Sequence, residues 1–422
     1  MLGITGIGDK FDKYSKKHLH SVPFGTFTIN GREWGSNIIG MESVEVISSI
    51  GCEASTCYVV LKFIDMPRVS KQVKGYETYD FELPSDFAEI KVGAEFMVSL
   101  GYKYGPDKKD GDITQVFSGF VSSFELEVDS KQQAIMTIEG MDAKMWMMTG
   151  RRTQLFKGDH RYSAVVQKIC RDYSNKVGSK NIRIQKEKDF KADLYQQNES
   201  DYEFLCRIAG ITGSMFFMSA NPKKLNFVNV LGLGKSKAFV LKPSQMVRNI
   251  KLSANVWGIP RKVEVVGIDK KDYRKLITGE SSDQSGSQNI GAPGGGKKFF
   301  ELTSNLNEKV NKIEIVDNTV TTVDEAKFCA QAIYNKREMN LLELKAKIMG
   351  YPNVELGKIV SVEGFSSPID GTYVVSGIRH CCNFENRVYT TEIKMKANRF
   401  EPQEQSKTTQ IASSMRAVKS IF

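Results

Sequence analysis

The sequence predicts a mainly β protein with an α+β insert: two tube-like antiparallel β-barrels in tandem plus an α/β domain. From Phe24 to about Gly150, short runs rich in β-branched and aromatic residues alternate with turn formers, as in antiparallel barrels or sandwiches. Further on, apolar residues recur at helical spacing, and strands resume near Ile250. The predicted divisions are an N-terminal arm (1–22), a first barrel (23–150), the insert (151–250), a second barrel (251–400) and a C-terminal tail (401–422).

The first barrel range contains seven strand candidates separated by turn-forming segments. Among the separators, GPDKKDGD at 105–112 predicts a hairpin tip, because its three acids lack the alternating ligand spacing of an EF-hand loop. The strand candidates are TFTIN, SVEVISSI, CYVVLKFI, EFMVSLGY, QVFSGFV, SFELEV and AIMTIEG.

The insert is predicted to contain two helices. RYSAVVQKICRDYS has one apolar helical face, with Ser163 as its N-cap. In YQQNESDYEFLCRIAGITGSMFF, three acids crowd together at Glu199, Asp201 and Glu203. Ser200 and Glu203 match the S-x-x-E capping box, so this segment predicts a helix start followed by a strand. The cap does not account for Glu199, but no His or metal-type cluster accompanies it.

The second barrel range opens with the strand candidates NIKLSAN and KVEVVGI. The Gly-, Ser- and Gln-rich stretch 279–298 then predicts a flexible loop. Thr322 and Glu325 form a second capping-box pattern at the start of a helix. The tail 401–422 is polar and is expected to order only on a partner. The later strand candidates are LLELKAKIMG, KIVSVEGF, TYVVSGIRH and RVYTTEIKMKAN.

The two barrel ranges contain a similar pattern, which predicts two copies of one β module. Gly93 and Gly357 each open a strand that contains Val-Ser. Three chains with two modules each could form a ring with six similar positions, and such a ring could contact a sixfold partner on one side and a threefold partner on the other. The matched residues are Val98-Ser99 with Val360-Ser361, and Gly119, Val121 and Ser122 with Gly371, Val375 and Ser376.

Composition is compatible with sizeable cores, since 41% of the 422 residues are hydrophobic and 10% are aromatic. No run approaches the ~20 apolar residues of a membrane helix, and the start lacks a signal-peptide pattern, so we expect folding in the cytosol without membrane insertion. An odd number of cysteines, seven, argues for reduced thiols. The net charge of +10 permits an acidic partner, but the basic residues are dispersed and mixed with acids, which favours a solvated surface.

Motifs for chemistry are incomplete in this sequence. Gly234-Lys235-Ser236 resembles the end of a phosphate loop, but Asn229 occupies the position of the required earlier glycine. There is no HExxH, no His/Cys cluster at zinc spacing and no G-x-S-x-G. The sequence therefore predicts no catalytic, cofactor-binding or metal site, and no enzyme activity. The four histidines are His18, His20, His160 and His380.

The order of these segments resembles the baseplate hub family of contractile tails, which includes T-even phage hubs, late-control D proteins and the hub portion of VgrG spikes. The likeness lies in residues 93–130, in RYSAVVQKICRDYS and most clearly in LYQQNESDYEFLCRIAGITGSMFF, which is similar to the family's Y-R-E-S-D-F-D-F-L-x-R-L helix entry. Later, DEAKFCAQAIYNK, LGKIVSVEGF and DGTYVVSGIRH resemble the family's helix and two glycine-containing strands.

The resemblance implies a structural homotrimer that joins a hexameric tail tube to a trimeric spike, among other baseplate proteins. It implies assembly in the cytoplasm and a final place in a virion or an extracellular or secretion particle. A VgrG continues into a further barrel and a needle, whereas this chain ends at Phe422, so a separate spike polypeptide is expected. The alternatives are a nucleic-acid-binding β-barrel protein, whose best stretch is KKLNFVNV at 223–230, and a cell-wall enzyme or lectin.

Overall fold

The structure is a computed structural model, and it describes most of the chain. The predicted hairpin tip at 105–111, the loop residues 283–298 and the tail 401–422 lie outside the described residues. The described ranges are 9–18, 21–35, 40–63, 68–73, 76–81, 90–103, 112–128, 134–157, 162–185, 193–233, 237–243, 247–255, 258–269, 271–282, 311–365 and 369–399.

Strands dominate these ranges, which confirms the predicted mainly β fold. The helices are α1 (Asp9–Lys17), α2 (Tyr162–Asp172), α3 (Ser174–Val177), α4 (Asp201–Ile211) and α5 (Val323–Glu338). The strands are β1 (Val22–Ile29), β2 (Arg32–Gly35), β3 (Met41–Ser49), β4 (Thr56–Phe63), β5 (Arg68–Val73), β6 (Tyr76–Phe81), β7 (Glu95–Lys103), β8 (Asp112–Val128), β9 (Ala134–Met141), β10 (Arg152–Phe156), β11 (Ile182–Ile184), β12 (Leu194–Glu199), β13 (Ser214–Ala220), β14 (Lys223–Asn229), β15 (Lys237–Leu241), β16 (Val247–Ala254), β17 (Lys262–Ile268), β18 (Leu276–Ser282), β19 (Lys312–Val316), β20 (Leu342–Met349), β21 (Ile359–Val362), β22 (Gly371–Asn383) and β23 (Val388–Ala397).

Five strands recur with the same topology in two modules. The first module has the sheet order β3-β4-β9-β8-β7, and the second has the order β16-β20-β23-β22-β21. Numbered along the chain within each module, both orders are 1-2-5-4-3. The modules join because β22 pairs antiparallel with β3, so both belong to one 13-stranded sheet. The internal similarity seen in the sequence is therefore a repeat of strand topology.

The two modules also share their irregularities. Gly93 and Gly357 both have left-handed backbone, with φ of 84° and 73°. Their N–H groups donate to the carbonyls of Val121 (2.8 Å) and Val375 (2.9 Å). Immediately after Val121 and after Val375 the pairing with the next strand shifts by one residue. A second shift recurs near the start of β3 and of β16. These shared positions fix which residues of the two modules correspond, and we call corresponding residues counterparts.

The match made in the sequence agrees with these counterparts for Gly93 with Gly357, Val121 with Val375 and Ser122 with Ser376. The match of the two Val-Ser dipeptides and of Gly119 with Gly371 is displaced by two residues. Val98 and Val362 each lie five residues after their module's glycine, so Val98 corresponds to Val362 and not to Val360. Likewise Gly371 is not the counterpart of Gly119. A comparison of the sequence alone aligns the two Val-Ser dipeptides. In the structure, the left-handed glycine and the bulge determine which residues correspond.

One hydrophobic core runs through both modules. Part of the predicted N-terminal arm contributes to it, because α1 places Phe11 and Tyr14 against Tyr351, with ring centroids 4.8 and 5.0 Å apart. Among the described residues, no helix is long and apolar enough to span a bilayer.

Two small α/β units pack beside the large sheet. In the first, α2 and α4 share a core with the sheet β11-β14-β13. In the second, α5 packs on the sheet β18-β17-β19. The units meet where the Tyr162 hydroxyl donates to Glu325 Oε1 at 2.7 Å. The sequence placed 262–338 within the second barrel range, but β17 pairs with β18 and β19 and not with the large sheet. Residues 279–282 of the predicted loop belong to β18.

The helix starts in the structure agree only in part with those predicted from the sequence. Ser200 and Glu203 form the complete predicted capping box. The prediction of Ser163 as an N-cap is wrong, because α2 begins at Tyr162 and Ser163 is buried within its first turn. Thr322 caps α5 as predicted, but Glu325 Oε2 accepts from the N–H of Thr321 and not from that of Thr322, so the box is not reciprocal.

Candidate functional site: charged rows and open strand edges

A row of three lysines crosses the second module on the face of the sheet that points away from the core. Lys345 of β20 lies opposite Lys251 of β16 on one side and Lys394 of β23 on the other. All three are exposed, and neighbouring strands are only about 4.8 Å apart. Like charges directly opposite each other destabilise a sheet, so this row costs stability unless anions neutralise it.

The counterpart row of the first module has the opposite character. It contains Glu45 of β3, Tyr58 of β4 and Glu139 of β9, which are paired side by side. The two modules therefore share their backbone while one charged row is basic and the other is acidic.

Ion pairs neutralise the next row of the second module. Lys347 lies 2.9 Å from Glu392, and Arg379 lies 3.8 Å from the same carboxylate. Arg379 also crosses to the first module, where its Nε contacts Glu45 Oε1 at 2.6 Å. In the lysine row, Lys345 contacts Glu343 at 2.8 Å, whereas Lys251 and Lys394 have no ion-pair partner among the described residues.

A cavity of about 820 Å³ borders these rows where the sheet meets the α/β units. The three lysines of the row line it together with Lys336 and Lys396. Burial lowers the pKa of Lys336, whose ammonium donates to the carbonyl of Ser214 at 2.9 Å. Burial also lowers the pKa of Lys396. The cavity is thus lined by several lysines together with apolar residues.

The charges of these lysines act on Glu343, one of the carboxylates that line the cavity. Burial alone would raise the pKa of Glu343. Its hydrogen bond with Lys345 and the charges of Lys345, Lys396 and Lys394 outweigh burial and hold the pKa below the usual value. Glu343 therefore stays ionised while it neutralises one member of the row.

Within the described part of the chain, the open strand edges of the sheet include those of β16 and β8. β16 pairs on one side with β20, and residues 122–128 of β8 pair on one side with β9. Phe124 and Leu126 on this part of β8 are 45% and 37% exposed. Open edges with exposed apolar residues are sites for pairing with another chain. Sequence patterns gave no signal for these edges, because the edge status of a strand depends on the whole topology.

The three acids of the α4 entry each have structural partners. Arg207 holds Glu199 through two hydrogen bonds of 2.9 Å. Asp201 accepts from the hydroxyl of Tyr173 at 2.7 Å and from Gln196 at 2.9 Å. Glu203 completes the capping box. The Glu199 carboxylate, which the sequence left open, is the anchor of an ion pair.

The two histidines among the described residues, His18 and His380, contact different partners. His18 hydrogen-bonds to Asp112 at 2.8 Å, and His380 lies in the core beside Thr391 at 3.1 Å. His20, His160 and the Gly234-Lys235-Ser236 segment lie outside the described residues. Within the described ranges, no group of three or more His, Cys, Asp or Glu side chains could hold a metal ion. In the candidate nucleic-acid stretch, Phe227 is 4% exposed and is not available for base stacking.

A lysine and cysteine cluster beside the cavity was missed by the sequence analysis. Lys144 is fully buried, and its ammonium donates to the carbonyls of Cys52 (3.2 Å), Glu53 (2.6 Å) and Phe216 (3.3 Å). Next to it, a hydrogen bond from Cys206 lowers the pKa of Cys52 to about 7. These residues are far apart in sequence, so no spacing rule could bring them together.

The fold defined by this sheet and its α/β units is that of phage tail proteins. The prophage MuSo2 43 kDa tail protein from Shewanella oneidensis matches with a TM-score of 0.60 and 13% identity, over 90% of this chain and all of the other. A tail protein from Neisseria meningitidis MC58 matches with a TM-score of 0.60 and 13% identity, over 89% and 97%.

The E. coli c3393 protein is a type VI secretion component described as similar to the T4 tail proteins gp27 and gp5. It matches with a TM-score of 0.53 and 10% identity, over 90% of this chain and 79% of the other. No curated protein sequence matches. The family model for the Alg8 N-terminal domain matches residues 74–383, well over half of the chain. The chain belongs to this family.

Proposed function

We propose that this chain is a structural component of a contractile injection particle, such as a phage tail, a tailocin or a secretion-type device. In this role it is the baseplate hub: a homotrimer that joins the hexameric inner tube to a separate trimeric spike and contacts other baseplate proteins. Its work is mechanical, and no catalytic step is part of it. The protein would assemble in the cytoplasm and end in the finished particle.

The observation that supports this role best is the repeat of one five-stranded module in the same register. A trimer of such chains presents six equivalent modules, while every feature outside the modules stays threefold. One ring can then contact a sixfold tube on one side and a threefold spike on the other. The fold shared with phage tail and secretion-system proteins supports the same role.

The mass of the purified protein in solution tests the proposal. We expect a particle of about three times the 47.4 kDa chain mass, which light scattering coupled to size exclusion measures directly. The trimer should also bind the tube and spike proteins encoded beside it, at different faces. A monomer that binds DNA and releases it as salt rises would favour the nucleic-acid alternative and contradict the hub.

A further inference from the structure

The junction inside the chain shows how one module meets the next. β22 pairs with β3 in an antiparallel register that runs from Gly377 opposite Ser49 to Asn383 opposite Ser43. On the core side, Ile378 and His380 of β22 are only 7% and 3% exposed. On the other side lies the 2.6 Å ion pair between Arg379 and Glu45.

Each of the two open edges, on β8 and on β16, presents one half of this junction. β8 is the counterpart of β22, and β16 is the counterpart of β3. Within the described chain, residues 122–128 of β8 pair only with β9, and β16 pairs only with β20. Phe124 and Leu126 are the counterparts of Ile378 and His380, yet they are 45% and 37% exposed. Positions that are covered on β22 are thus uncovered at their counterparts on β8.

We propose that β8 of one chain pairs antiparallel with β16 of a second copy, in the register that β22 and β3 use within the chain. This inference rests on the homotrimer of the proposed function and specifies its contact. Transferring the register through the counterparts gives four expected cross-strand pairs, Phe124–Ala254, Glu125–Ser253, Leu126–Leu252 and Glu127–Lys251.

Charges at this contact are complementary. Glu127 lies directly opposite Lys251, which has no ion-pair partner within the described residues. Glu125 takes the place that Arg379 has in the internal junction, and Lys251 takes the place of Glu45. The contact between copies thus repeats the Arg379–Glu45 ion pair with the two charges exchanged. It also neutralises one end of the lysine row.

Apolar contacts and backbone hydrogen bonds would also stabilise this contact between copies. Leu126 would cover Leu252, which is partly buried against the core in the single chain. Two open edges would satisfy each other's N–H and C=O groups. The exchanged charges also disfavour wrong pairings, because β16 in the place of β3 would bring Lys251 beside Arg379. The edge of β8 is therefore complementary to that of β16, and neither edge is complementary to a second copy of itself. A closed heterologous ring requires this property.

Charge reversal tests the expected ion pair in the full chain. Glu127→Lys and Lys251→Glu should each raise the trimer dissociation concentration about tenfold, and the double variant should recover most of that loss. Glu33→Lys, the same change at an exposed acid on β2, is the control, because β2 takes no part in the expected contact. Light scattering over a dilution series gives the readout, and circular dichroism verifies that each variant folds.

Cysteine cross-linking tests the register independently. Glu125→Cys combined with Ser253→Cys should form a disulfide between chains under mild oxidation, detected on a non-reducing gel. Glu125→Cys with Asn249→Cys, four residues out of register, should not. A trimer in which the first pair fails to cross-link and the reversed charges have no effect overturns this contact while leaving the hub proposal standing. A wild-type chain that stays monomeric overturns both.

Discussion

Lys251 occupies, in the second module, the position that Glu45 occupies in the first. Each lies on the first strand of its module, opposite Lys345 and Tyr58 respectively. Glu45 faces the second module and forms an ion pair there with Arg379 at 2.6 Å. Lys251 is on the outer edge of the sheet and has none among the described residues. The backbone repeat is thus combined with a charge difference, which in the proposed trimer would let the two similar modules alternate around a ring without exchanging places.

The capping box of α4 predicts a measurable contribution to stability. Ser200→Ala removes the acceptor for the N–H of Glu203 (3.1 Å) and should lower the free energy of unfolding by about 1 kcal/mol. Urea denaturation followed by circular dichroism measures the change. Glu203→Gln is the matched control, because glutamine can also reach back to the N–H of Ser200. We expect no effect of Ser200→Ala on trimer formation, and a loss of assembly at unchanged stability would contradict the structural role.

Glycine substitutions with opposite expected signs test the turn that anchors the second module. Gly357 has a φ of 73°, and an added Cβ would lie 3.0 Å from a methyl group of Leu233. Gly357→Ala should therefore destabilise the protein by about 1–2 kcal/mol. Gly210 lies in α4 with no atom within 4 Å of an added Cβ, so Gly210→Ala should stabilise by about 0.5–1 kcal/mol. Thermal or urea unfolding measures both variants, and equal signs would contradict the assignment.

These examples show what the sequence could and could not predict. The capping box at Ser200 is local, because its donor and acceptors lie within four residues, and the sequence identified it completely. The cap at Thr322 was identified only in part, because a side chain 163 residues away, Tyr162, hydrogen-bonds to the carboxylate that would have closed the box. KVEVVGI was recognised as a strand, but its sheet was not, since strand pairing is decided by tertiary contacts. Likewise, the lysine row depends on two strand pairings, β16 with β20 and β20 with β23, which no single segment encodes.

The environment of Cys52 predicts selective thiol chemistry. A hydrogen bond from Cys206 and the charges of Lys336 and Lys144 outweigh burial and lower its pKa to about 7. Because the thiolate is the reactive form, the rate of alkylation by iodoacetamide should rise with a midpoint near pH 7. Mass spectrometry of the digested protein locates the labelled site.

Two comparisons separate this effect from simple exposure. Cys206→Ala should move the midpoint for Cys52 to higher pH, because the hydrogen bond is lost. Cys57 is fully buried and its pKa is raised by burial, so it should stay unlabelled in the native protein. Labelling of Cys57 before Cys52 would contradict the described arrangement.

Acid should destabilise the fold through His380. The ring is buried beside Thr391 and Tyr389, and burial lowers its pKa to about 3. The unfolded chain binds this proton near the ordinary value of 6.5, so between these limits the unfolded state holds more protons than the native state. Stability must then fall as the pH drops below about 6.5, by roughly 1 kcal/mol per pH unit from this one group. Urea midpoints between pH 6 and pH 4.5 should show a shallower slope for His380→Asn than for the wild type, since all other titrating groups are common to both. Equal slopes would mean that His380 is accessible to protons in the native sheet, and the packing of β22 against β23 would have to be revised.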